Sequence, residues 1–89
     1  MLVLPSELTQ TQAKACLGRL VAALRSSEGE VVEVDASALT RFDSSALAVL
    51  LEFRREALAL GKRFVVQGLP GRLENLASLY GISELLASS

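Results

Sequence analysis

Two short β-branched runs, "VVEV" at residues 31–34 and "RFVVQG" at 63–68, stand on either side of a long apolar stretch. That stretch predicts a helix from about Ser45 to Leu60, with Gly61 as its C-terminal stop. Ahead of it, "LVL" at 2–4 is β-prone and is stopped by Pro5. Thr9 and Gln12 then form a capping box for a first helix. Ala13, Cys16, Leu17, Leu20, Val21 and Leu24 recur at helical spacing along it. "SSEGE" is expected to end that helix through Gly29. After the last strand, Pro70 suits the first turn of a third helix, "GRLENLASLYG", with Leu73, Leu76, Ala77 and Tyr80 on one side. "ISELLASS" closes the chain as a short turn or helix.

Strand and helix therefore alternate three times. Strands joined through helices are parallel, with right-handed crossovers. The expected fold is an α/β domain, residues 1–89 as one unit, with a small, mainly parallel sheet and a helix following each strand. In such sheets functional positions gather beyond the carboxyl ends of the strands. Asp35–Ser44 and Gly68–Arg72 should lie together on that edge.

Composition removes several classes of function. Nine basic and ten acidic residues leave a net charge of −1, so nothing points to nucleic acid. There is no histidine, the commonest general base and metal ligand. The lone Cys16 has no disulfide partner and fits a reducing cytosol. It lies on the inward stripe of the first helix, as packing. No signal peptide is expected, and the longest wholly apolar run, "ALAVLL" at 46–51, is far below the ~20 residues of a membrane span. No direct membrane insertion, cofactor or metal is expected. With glycine counted in and tyrosine out, apolar residues make up about 56% of the chain, above the ~45–50% of typical domains. Some of this excess is expected to cover a partner.

The polar residues crowd into one place, "TRFDSSALAVLLEF" at 40–53, directly before the central helix. One reading makes Asp43 or Ser44 an N-cap and nothing more. A second makes a serine here the acceptor of a phosphate, placed where a helix end favours anions. A third makes Ser44 or Ser45 a nucleophile. That reading needs a base and an oxyanion site, and neither a histidine nor a nearby lysine supplies them. "GLPGRL" lacks the spacing and the Lys-Ser/Thr ending of a phosphate loop.

The stretch "VDASALTRFDSSALAVLLEFRREALALGKRFVVQGL" resembles the STAS domain pattern: a strand ending in Asp, a loop, then Asp-Ser-Ser leading into an apolar helix, with Gly61 and a strand behind it. The resemblance runs over about residues 31–87 and implies a small STAS-like (SpoIIAA-like) fold without enzymatic activity. In anti-anti-sigma members, the first residue after the motif Asp is phosphorylated by a serine kinase that is also an anti-sigma factor. Carried over, that residue is Ser44. Another branch is the small cytoplasmic subunit of Mla-type phospholipid ABC transporters, which serve outer-membrane lipid asymmetry. That subunit binds the transporter's ATPase, and a threonine commonly stands where this chain has Ser44.

The ending "VVQGLPGRLENLASLYGISELL" resembles the MlaB-like branch, with Leu76, Ala77, Leu79 and Tyr80 in the matching places. The resemblance therefore implies a non-catalytic ABC transporter subunit that stabilises or regulates the ATPase, and through it meets the permease at the inner face of the inner membrane. The alternative is an anti-anti-sigma factor switched at Ser44. The expected interface comprises Asp43, Ser44 and Ser45 with Arg41, Leu47, Arg72 and Tyr80. The N-terminal strand region is shortened relative to the family, only "LVL" preceding the first helix. That edge is expected to be open or to pair with a second copy.

Overall fold

The computed structural model describes residues 1–86; the end of the expected terminal turn, 87–89, lies outside the described residues. The elements run β1 (Leu2–Val3), β2 (Glu7–Leu8), α1 (Gln10–Ser26), β3 (Val31–Asp35), β4 (Arg41–Phe42), α2 (Ser45–Ala59), β5 (Arg63–Gln67) and α3 (Gly71–Leu79), followed by a 3-10 turn over Ser83–Leu86. β1, β3 and β5 form a parallel sheet in that order, with Leu2 opposite Val34 and Val34 opposite Val66. This is the α/β architecture expected from the alternation of elements.

The side chains obey the two periodicities. Val32, Val34 and Val66 are buried from one face of the sheet. Cys16, Leu20 and Leu24 meet them from α1, and Ala46, Val49, Leu50, Phe53 and Ala57 from α2. Phe53 is fully buried and meets the edge of the Phe64 ring at 5.9 Å between centroids. Burying a side chain of this kind contributes roughly 1.5–3 kcal/mol, so this layer holds the domain together. On the solvent side of α2, Arg55 pairs with Glu52 at 3.7 Å, an exposed contact of small energetic weight.

The helix ends show which local signals were sufficient. Gln12 returns to α1's start, its Oε1 accepting from the Thr9 amide at 2.8 Å. Gly61 takes φ +74 after α2, and Lys62 donates its amide to the Ala57 carbonyl, a left-handed helix stop. Gly29 does not play the part expected of it. α1 stops three residues earlier at Ser26, because Ser27 turns to extended backbone (φ −86, ψ 136) while still bonding the Leu24 carbonyl.

The N-terminus also departs from expectation. "LVL" is not alone before α1: Glu7–Leu8 forms a second short strand. It pairs in parallel with Arg41–Phe42, inside the segment expected to be a loop. The Ser6 carbonyl anchors this pair by accepting from the Thr40 and Arg41 amides at 2.8 and 3.0 Å. The strands are nevertheless short, two residues each. β1 lies at the edge of its sheet, and so short an edge offers little ladder to a further strand.

Candidate functional site

The loops after β3 and β5 meet at one edge, as the topology requires. The Ala36 amide donates to the Gln67 carbonyl at 2.8 Å, closing the two strand ends together. Asp35 finishes β3 and accepts from the Ser37 amide at 2.9 Å, turning the chain out of the sheet. The Ser37 hydroxyl and amide hold the Asp35 carboxyl below the usual carboxylate range. Gly68 faces this turn at φ +69, where a Cβ would lie 2.8 Å from the Ser37 Cβ. Only glycine lets the loops approach this closely in this conformation.

Asp43 is the cap of α2. Its Oδ1 accepts from the Ser45 amide at 2.8 Å, and its carbonyl accepts from the Ala46 amide at 3.0 Å. Its Oδ2 accepts from the Gln10 amide at 3.1 Å, at the start of α1. One carboxylate therefore stands at two helix N-termini, each carrying partial positive charge. Bonds from the Ser45 and Gln10 amides hold the Asp43 carboxyl below its ordinary range.

Ser44 is left with another situation. Its backbone is already helical (φ −62, ψ −16), its carbonyl accepts from the Leu47 and Ala48 amides, and its side chain makes no capping bond. The residue is exposed beside the cap. Ser45 is half-buried in the first turn. The capping role and the available hydroxyl thus fall on neighbouring residues.

Arg41 and Arg72 frame the junction. The exposed Arg41 lies 3.9 Å from the half-buried Glu7. The Arg72 guanidinium sits 5.3 Å from the centroid of the Phe42 ring. The structure thereby brings Arg41, Phe42, Asp43, Ser44 and Arg72 to one edge. Tyr80 is separate: it follows the last turn of α3, 60% exposed, eight residues from Arg72 and hence about 12 Å along the helix.

Leu47 corrects the expected interface. It is 2% exposed, because α2 packs against both α1 and β5 and the first turn is covered on more than one side. In this fold Leu47 is a core residue, and Ala48 holds the exposed position beside it. The sequence reading also missed Phe42 and Gln10, while Gly68 stands on the edge expected of it. Phe42 carried a signal in the alternation of Glu7–Leu8 with Arg41–Phe42, but two-residue strands are too short for periodicity to identify. Gln10 carried none.

Among the described residues no cluster of three or more His, Cys, Asp or Glu could hold a metal, and no helix is long and apolar enough to cross a membrane. The arrangement supplies a capped helix start, an exposed serine and two guanidinium groups.

Comparison with known proteins agrees with this architecture. A family model described as "Mlab, STAS domain" matches residues 1–87. The matched range takes in β1 and β2. Four chains of solved structure match. One is the STAS domain of a SulP transporter from Vibrio cholerae, with a TM-score of 0.70 and 15% identity, aligned over 96% of this chain. The chain spans 66% of that structure's length, just under two thirds, and at this identity the likeness is one of fold. The search of curated proteins finds no match.

Proposed function

This chain belongs to the STAS domain family, and we propose that it serves as the MlaB-like subunit of an ABC-type phospholipid transporter. Members of the family are in general non-catalytic regulatory or adaptor domains, and this chain is one of them. In the proposed role it docks on the transporter ATPase from the cytoplasmic side, reaches the permease through it, and stabilises or regulates the ATPase without touching nucleotide. The contact surface is the edge formed by Arg41, Asp43, Ser44, Ser45 and Arg72.

The match to the Mlab family model favours this branch, and the choice of surface rests on the division of labour at the junction. Asp43 satisfies the helix start, so the exposed Ser44 hydroxyl is not needed for the fold. A partner packed over that hydroxyl gains a hydrogen-bond site at no cost to the domain. The same exposure favours a second reading, an anti-anti-sigma factor phosphorylated at Ser44. A phosphate there would sit at the ends of two helices yet beside the Asp43 carboxylate, and so would change the surface more than the core.

A tagged pull-down from the source cells, with bound proteins identified by mass, separates the two. Recovery of an ABC ATPase with its permease supports the transporter role. Ser44→Asp should then weaken that capture, since it sets a second carboxylate against the docked surface. Recovery of a serine kinase or a sigma-regulating protein in place of the ATPase makes Ser44 a phosphorylation switch and sinks the lipid assignment.

A further inference from the structure

Beside the junction, Arg72, Asn75, Leu76 and Leu79 follow one another at i, i+3, i+4 and i+7 and form one stripe of α3. With Phe42 they line an open groove of about 330 Å³. Leu79 is 83% exposed, more than any other large hydrophobic residue among those described. Phe42 and Leu76 are half-buried and form the apolar floor. A single exposed leucine needs no explanation, but this one stands over an apolar groove that adjoins the candidate contact edge.

Arg72 is the charged residue in the groove's lining. The Arg72 guanidinium rests by the Phe42 ring, and no carboxylate among the described residues lies within ion-pair distance of it. A guanidinium held by a ring keeps its N–H donors open for an acceptor. Arg41, the residue before Phe42, has only the long, exposed contact to Glu7. The groove thus joins apolar surface to guanidinium donors that lack a strong acceptor.

Resting on the docking role above, we propose that this groove takes a segment of the partner ATPase in which an apolar side chain stands beside a carboxylate. The apolar side chain seats between Phe42 and Leu79, and the carboxylate meets the in-plane donors of Arg72. Such a carboxylate–guanidinium contact fixes register, while the apolar seat supplies most of the affinity. Ser44 lies outside the groove and contributes a separate polar contact.

The test uses the ATPase recovered with the full chain and measures its affinity for wild type, Leu79→Ser, Arg72→Glu, Arg72→Gln and Ser44→Asp at low and high salt. Leu79→Ser and Arg72→Glu should each weaken binding about tenfold or more. Arg72→Gln should bind with less salt dependence than wild type. The groove variants should melt like wild type, since the changed side chains are exposed, so a loss of binding is not a loss of fold. If Ser44→Asp weakens ATPase binding while the Leu79 and Arg72 variants bind normally, the docking role stands and the groove assignment is wrong. If the wild-type chain binds no ABC ATPase, both fail. If the variants instead abolish a homodimer seen by sedimentation, the occupant is a second copy and the proposal is overturned.

Discussion

Two helices leave the same edge of the sheet, and they start in different ways. α2 starts on a side chain: the Asp43 carboxylate takes the Ser45 amide and reaches across to the Gln10 amide of α1. α3 starts on backbone alone. Pro70 precedes it with φ −58, the Glu74 amide bonds the Pro70 carbonyl, and no side chain caps it. The approach to α3 depends on a missing side chain, Gly68, where β5 passes the Ser37 turn. One start is therefore sensitive to charge and the other to volume. Ser44 belongs to neither requirement, which leaves it free for the contact proposed above.

The volume-sensitive start should give the larger effect. Gly68→Ala places a Cβ 2.8 Å from the Ser37 Cβ at a positive φ. The left-handed backbone and the overlap together should destabilise by about 2–4 kcal/mol, read from denaturant unfolding. A wild-type midpoint for this variant would mean that the two loops part easily, and the contrast between the starts would be lost.

At the charge-sensitive start, Asp43→Ala leaves the Ser45 and Gln10 amides without their acceptor. Thermal melting should show a midpoint lowered by several degrees, with α1 and α2 both affected because one carboxylate serves both. Its depressed pKa fixes the direction of a pH effect. The carboxylate contributes stability above the unfolded-state pKa of about 3.9, and that contribution is lost as pH falls through the lower folded value. Asp43→Asn should flatten the acid limb of a stability–pH curve below about pH 4. Asp35, shifted the same way by Ser37, keeps part of the slope. An acid limb unchanged by Asp43→Asn would show that the amide bonds do not hold the charge.

Ser44→Ala should have the smallest effect on stability, within about 0.5 kcal/mol, as for a surface position without a structural partner. It sharpens the comparison because the same change should weaken partner binding. A clear loss of stability would return Ser44 to the status of a cap.

Much of the fold was legible because its signals are local. The α1 stripe, the β-branched runs of β3 and β5, and the Gly61 stop each lie within a window of a few turns. The parallel sense of the strands then followed from connection length. The site was legible in part: Asp43, Ser44, Arg41 and Arg72 reach one edge, but Leu47 falls in the core. An apolar residue in the first turn of a helix has no sequence mark that says how many neighbours will cover it. Gly29 failed as a stop for a similar reason. Where α1 ends depends on the extended path of Ser27 towards β3, and no glycine signal specifies that path.

The sequence by itself determined the α/β alternation, the apolar faces and the crowding of polar residues before α2, because each is a matter of periodicity and near-neighbour chemistry. The tertiary structure alone decided that Asp43 is the cap and Ser44 the open hydroxyl. The second amide on Asp43 comes from Gln10, thirty-three residues away in the chain. It arrives there only because β2 pairs with β4 and sets the start of α1 against the start of α2.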